Sequence, residues 1–311
     1  MKLLTLLAVC TLAYSVFCAS DGDWCYHDPR CDVATWPKNF TKFCNGSRQS
    51  PIKITKASAT IDLNLKNFTF TNYDSKTKFK KIMNTGKTVK VTLDSGVKIS
   101  EGGLSAEYDA LQFHLHWGNG TTAAGSEHTL DGKQFAMEMH IVHSKTAYNG
   151  NTTVAVADSE GLAALGFFIE ESTTDETNTF DSWEKLTSFL TNILDAGSEH
   201  DISSSQISLD DLLGNVNRSK YFRYLGSLTT PSCNEAVVWT VFEEPIKINK
   251  SSIDKFGTTV RISDAGSDEM VNVYRNTQTN DLKVTYSGGS RNVAFPTCLV
   301  LLALLLAQLW A

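Results

Sequence analysis

A single, mainly β domain of the α+β kind is what this sequence predicts, and three observations carry the prediction. Short runs alternating between apolar and polar residues recur from Ile61 to Tyr286, the spacing of half-buried strands. Only one helix is clear, over Phe180 to Ile193. No Gly/Ser linker and no internal repeat divides the 311 residues, so nothing marks a second domain.

Taken in order, Lys2, the apolar run Leu3 to Phe17 and Cys18-Ala19-Ser20 have the form of a secretory signal peptide, which sets residues 1–20 apart from the fold. The predicted domain is 21–287. Its first stretch, Asp21 to Ser50, carries Pro29, Pro37, three cysteines and two glycosylation sequons without periodicity, and reads as a stapled irregular arm. Strands are then expected at Ile61-x-Leu63-x-Leu65, Val89-x-Val91-x-Leu93 and Val154-x-Val156. Ala164 to Ile169 is a continuous apolar run, as a buried central strand requires, and Ala236 to Phe242, Ile246 to Ile248 and Leu282 to Tyr286 add three more. In the helix, Phe180, Trp183, Leu186, Leu190 and Ile193 share one face, with Asp181 and Glu184 in the first turn where the helix dipole favours them. Ser252 to Thr258 suits a shorter helix. At the end, Ser287-Gly288-Gly289 are small, Ser290 to Thr297 form a loosely polar spacer and Cys298 to Ala311 are hydrophobic. That is the pattern of a GPI-attachment signal, with the anchor on Ser287, Gly288 or Gly289 and 288–311 removed as a propeptide. The alternative, a transmembrane anchor, would have to cross a ~30 Å core with a marginal length.

A net charge of −6 gives no reason to expect a nucleic-acid partner, and the basic cluster Lys76, Lys78, Lys80 and Lys81 reads as a solvated strand edge. Of seven cysteines, Cys10 and Cys18 fall in the leader and Cys298 in the tail, which leaves Cys25, Cys31, Cys44 and Cys233. Four in a secreted domain imply two disulfides, with three connectivities open. Sequons at Asn39, Asn45, Asn67, Asn119, Asn151, Asn217 and Asn249 fit an extracellular surface.

The chemistry concentrates between Gln112 and His143, read as two strands joined by a loop, where five of the seven histidines lie. Successive strand residues face opposite ways, so His114 and His116 share a face and form a chelate. Glu138, His140 and Val142 share a face of the second strand, and pairing of the two strands would let His140 complete a three-histidine site. Three imidazoles with an open position describe a catalytic zinc, because structural zinc is normally closed by four protein ligands. Gln112 and Glu138 each precede a histidine by two residues, on its own face, where an acceptor would fix the imidazole's tautomer. The plainer reading makes all of these core or surface strand residues.

Gln112-Phe-His-Leu-His-Trp-Gly118, Ser126-Glu-His-Thr129, Glu138-Met-His-Ile-Val-His143 and Gly226-Ser-Leu-Thr-Thr-Pro231 resemble, in order and spacing, the signature blocks of the α-class carbonic anhydrases. The resemblance runs from about Trp24 to Tyr286 and is strongest to the family's GPI-anchored members. It implies a large twisted, mostly antiparallel central sheet with peripheral short helices. It also implies a Zn2+ enzyme that reversibly hydrates carbon dioxide to bicarbonate and a proton by zinc-hydroxide attack, on the extracellular face of the plasma membrane. His114, His116 and His140 would be the ligands. Thr229 would accept a hydrogen bond from the hydroxide and donate to Glu127, an order that suits a hydroxyl between a donor and a carboxylate. Val142, Leu162, Ala164, Leu228, Thr230, Trp239 and Tyr26 would line the substrate pocket, which Ala164 makes roomier than usual. His128 and His143 are read as structural, and the implied disulfides are Cys25–Cys31 and Cys44–Cys233.

Two departures stand out. Lys87 occupies the proton-shuttle position, with Thr85 and Lys90 at neighbouring rim positions, and an ordinary lysine (pKa about 10.4) is poorly matched to a water near 7. His27 is a substitute shuttle. Val273, beside Asn272, stands where asparagine is usual. The competing readings are a carbonic anhydrase-like extracellular binding module with weak catalysis and a zinc-hydroxide esterase. Bicarbonate or proton transporters are conceivable partners.

Overall fold

The computed structural model describes residues 24–174, 177–279 and 281–288. The predicted signal peptide, Gly289 and the hydrophobic tail lie outside them. Eight strands position the site: β1 (Phe79–Asn84), β2 (Val89–Leu93), β3 (Tyr108–Trp117), β4 (Met137–Lys145), β5 (Leu162–Glu171), β6 (Tyr221–Gly226), β7 (Val237–Phe242) and β8 (Thr285–Tyr286). They belong to a sheet of thirteen strands among the described residues, running β1-β2-β3-β4-β5-β7-β6-β8 through its centre. Glu199–Asp201 closes one edge against β1, and Thr60–Ile61 closes the other against β8. Pairing is antiparallel except between β5 and β7, between β5 and Ile246–Ile248, and at the Thr60–Ile61 edge. The mainly β expectation therefore holds, with short helices outside the sheet.

The sheet separates two cores. On one face Phe113, Leu115, Met139, Ile141, Leu165 and Phe167 pack under Trp183, Leu186 and Leu190 of the 177–192 helical segment. On the other, Ile52, Leu162, Ala164, Phe168, Tyr224 and Trp239 form a second cluster around the histidines. A β-bulge decides which side chains of β3 reach that second face. Tyr108 and Ala110 point into the first core, and the register shifts between Ala110 and Gln112. One extra residue reverses the alternation, so Gln112, His114 and His116 turn to the opposite face from Tyr108 and Ala110.

Several expected elements are corrected. Val154-x-Val156 is not a strand: Thr152–Ala155 is a helical turn whose N-cap, Asn151, accepts from the Val154 N–H. Two apolar residues two apart cannot distinguish a strand from a turn once a capping residue precedes them. Of Ile61-x-Leu63-x-Leu65, only Thr60–Ile61 is paired. Leu65 donates back to Asp62, turning the chain, and Leu63 is 75% exposed. Leu282 to Tyr286 shrinks to Thr285–Tyr286, because only these residues form ladder pairs with β6 and the edge strand. The basic cluster is not on the outermost strand: β1 is covered by Glu199–Asp201, and Lys80 and Lys81 pair with Asp94 and Glu199. The Lys250–Thr259 helix contains the predicted Ser252–Thr258. The predicted Phe180–Ile193 helix is α-helical only over Thr177–Ser188, tightens to a 3-10 turn over Phe189–Asn192 and stops before Ile193. Its start at Thr177 puts Asp181 and Glu184 beyond the first turn.

Candidate active site

β3 and β4 lie side by side with His114 directly opposite His140. Opposite residues in an antiparallel ladder project from the same face, which brings His114, His116 and His140 together. Their ring centroids are 5.1, 5.3 and 4.6 Å apart, and one ligand atom from each lies within 4.8 Å of the others.

Each imidazole is oriented by an acceptor. His114 Nδ1 donates to Gln112 Oε1 at 3.0 Å, His140 Nε2 to Glu138 Oε1 at 2.7 Å and His116 Nδ1 to the Val273 carbonyl at 2.9 Å. The lone pairs left are on His114 Nε2, His116 Nε2 and His140 Nδ1. Val273 supplies a backbone carbonyl, a role that does not depend on its side chain. Burial, reinforced by the neighbouring histidines, holds the His114 imidazole well below its ordinary value, and burial likewise lowers His140 and brings His116 to about 3. All three are therefore neutral at physiological pH, as metal ligands must be. His116 Nε2 is buried without a hydrogen-bond partner, an orphan that a bound cation would satisfy. The residues fit a zinc ion.

The orienting groups form their own network. Glu138 Oε1 also accepts from His128 Nδ1 at 2.6 Å and Oε2 from the His128 backbone N–H at 2.8 Å. Burial opposes ionisation of Glu138, but His128 and His140 outweigh it and hold its carboxyl well below the usual range. Gly166, opposite His140 on β5, leaves room for this carboxylate; a Cβ there would sit 3.2 Å from Glu138 Oε1. The Tyr224 hydroxyl bridges His128 Nε2 and Ser50 Oγ, and Ser50 Oγ accepts the Ser227 N–H at 3.0 Å. A hydrogen-bonded path thus runs from His140 to the 227–230 segment. His143 faces the other core, bonded to the Tyr73 hydroxyl and the Ala163 carbonyl.

Glu127 arrives on the loop between β3 and β4. That loop closes tightly where Gly125 meets Gly118: a Cβ on Gly125 would lie 1.8 Å from Gly118 N. The carboxyl is buried, with Oε1 accepting the Arg275 N–H at 2.8 Å and Oε2 3.4 Å from His116 Nε2. Burial pushes it up, opposed by a hydrogen bond from the Thr229 side chain and by the Arg275 N–H; a divalent cation beside it would favour the ionised form. A pocket of about 40 Å³ adjoins the histidines, lined by Val142, Leu162, Ala164, Leu228, Thr229, Thr230 and Trp239 together with His114, His140 and Val237.

Other expected residues sit elsewhere. Tyr26 does not line this pocket; its ring packs edge-on against Trp24 and lies 5.7 Å from Trp36. Lys87 Nζ lies over the Trp24 ring, 5.6 Å from its centroid, and exposed His27 bonds the Val271 carbonyl. Cys25–Cys31 and Cys44–Cys233 are bonded, the second joining the arm to the segment after Thr230. Ser287 Oγ accepts the Tyr221 N–H and donates to the Ser219 carbonyl, and Gly288 follows it. Asn39, Asn45, Asn67, Asn119 and Asn151 are exposed, whereas Asn217 and Asn249 are half-buried. Sequence reasoning missed Val237 and the fully buried Arg275. The Arg275 guanidinium donates to Gln49 Oε1 at 2.9 Å and to the Ser50 carbonyl at 2.8 Å, fastening the arm beneath Glu127. Its contacts with Glu127, Gln49 and Ser50 all span 148 residues of sequence or more, so no local pattern reveals it.

A family model described as eukaryotic-type carbonic anhydrase matches residues 31–288. Carbonic anhydrase 4 of Mus musculus is 40% identical over 256 residues, 81% of this chain and 79% of its own length, and Carbonic anhydrase 4 of Rattus norvegicus is 38% identical over 81% and 80%. Carbonic anhydrase 12 of Homo sapiens is 34% identical over 86% of this chain and 73% of its own. Similarity on this scale, spanning every strand that builds the site, shows that the chain belongs to the eukaryotic-type carbonic anhydrase family.

Proposed function

We propose that this carbonate dehydratase works through a zinc ion held by His114 Nε2, His116 Nε2 and His140 Nδ1, at the outer surface of the cell. The observation that carries the reading is the set of three oriented, neutral imidazoles whose free nitrogens converge, one of them an orphan. A zinc ion there lowers the pKa of bound water to about 7, a value characteristic of carbonic anhydrases as a class rather than one derived from this chain.

The protein's own groups do the rest. The Thr229 hydroxyl, donating to Glu127, has its lone pairs left to accept from the attacking water, which fixes that water's orientation. Glu127 accepts from Thr229 while the Arg275 N–H holds it in place. Val142, Leu162, Ala164, Leu228 and Trp239 give carbon dioxide an apolar wall beside the histidines. Lys87 stands at the shuttle position as a weak relay, its ammonium drawn to Trp24.

The cell-surface placement rests on the sequence patterns at both ends; no helix among the described residues is long and apolar enough to cross a membrane. Two measurements test the proposal. Purified enzyme should hold one zinc per chain and hydrate carbon dioxide, and phosphatidylinositol-specific phospholipase C should release it from cells. Active enzyme without zinc would overturn the metal reading. Enzyme that resists release and retains Leu301 to Leu306 would overturn the anchor.

A further inference from the structure

We propose that Lys90 sets the affinity of this site for small anions, drawing bicarbonate and comparable monovalent anions toward the position that the three histidines leave open. This rests on the zinc reading above. Lys90 lies directly opposite His114 in the β2/β3 ladder, so the two side chains project from one face. Val89 and Val91, on either side of it, are buried in the opposite core, which fixes the face that Lys90 uses.

The charge is also uncommitted. Lys80 and Lys81 on the adjoining strand have Asp94 and Glu199. Neither Lys87 nor Lys90 has an acidic partner among the described residues, and Lys87 is occupied with the Trp24 ring. Lys90 is half-buried, so its field is less screened than that of a fully solvated lysine. Carbon dioxide carries no charge and does not respond to this ammonium, whereas bicarbonate does. The side chain thus distinguishes the two free substrates, not the charge of the two bound states.

The test titrates thiocyanate calorimetrically into zinc-loaded enzyme of measured metal content at about pH 6, below the class pKa of the metal-bound water. Wild type is compared with Lys90→Gln, Lys90→Arg and Lys87→Gln. Lys90→Gln should weaken thiocyanate binding by about threefold, the size of a single partly exposed charge contact. Lys90→Arg should keep the wild-type affinity, and Lys87→Gln should change it less. In dehydration assays the KM for bicarbonate should rise in Lys90→Gln by a similar factor. Because the overall equilibrium is fixed, any change in kcat/KM must be by the same factor in the two directions. Equal thiocyanate affinity in wild type and Lys90→Gln at full zinc occupancy overturns the inference. A wild type that holds no zinc overturns the zinc reading, and this inference with it.

Discussion

The floor of the site and its rim sit a few residues apart on neighbouring strands, yet they are built differently. On the floor, Glu138, His140 and His116 are at most 1% exposed, and each imidazole is fixed by an acceptor held in its own network. At the rim, Lys87 touches one aromatic ring and Lys90 has no acidic partner among the described residues. A buried polar group left unpaired costs about 1–3 kcal/mol, so the floor tolerates little change. Water solvates a rim residue whatever its identity. Under the proposed function the comparison teaches that holding a metal and exporting a proton would be separable in this chain: the residues for the first are locked into the fold, and those for the second are not.

The largest expected effect breaks the frame that holds floor and rim together. Cys44–Cys233 spans 189 residues and, with Arg275, fastens the arm beneath the 227–233 segment. In the chain-entropy account, replacing both cysteines by serine removes on the order of 5 kcal/mol of stability. Urea unfolding of the double variant measures this; an unchanged midpoint would show that the arm is held by other contacts.

Within the floor, Glu138→Gln keeps the shape but removes the charge shared by His140 and His128. Zinc affinity should fall about 10- to 100-fold, the usual consequence of disturbing a group that orients a ligand. Competition with a chelator reads this directly, and wild-type affinity would mean that Glu138 serves packing alone.

The rim should give the smallest effect, and one confined to proton transfer. Hydration by the wild type should be strongly accelerated by imidazole-type buffers, and Lys87→His should be severalfold faster and less dependent on buffer. A wild-type rate already fast and indifferent to buffer would show that another group exports the proton. His27 is a poor substitute as it stands, because its Nε2 is engaged by the Val271 carbonyl.

What the sequence made legible follows from the range of the physics involved. His114 with His116, and Glu138 with His140, are local pairs two residues apart, so period-two alternation was enough to group them. The bulge at Ala110–Gln112 shows in the sequence only as a one-residue shift of the apolar positions, from Tyr108 and Ala110 to Phe113 and Leu115, yet it decides which face the histidines use. Val154-x-Val156 was misread because two apolar residues carry too little periodicity against an Asn151 cap. Leu63 fits the alternation but faces solvent, since pairing stops at Ile61. Arg275 and the Val273 carbonyl act across long separations, and only the folded chain brings them to Glu127 and His116.

X-ray absorption at the zinc edge, on wild type and His140→Ala, tests the central claim most directly. The account predicts for the wild type one zinc with three imidazole nitrogens at about 2.0–2.1 Å and one oxygen, and for His140→Ala loss of both the metal and carbon dioxide hydration. A sulfur shell in the wild type, or a His140→Ala protein that keeps full zinc and full turnover, would contradict it.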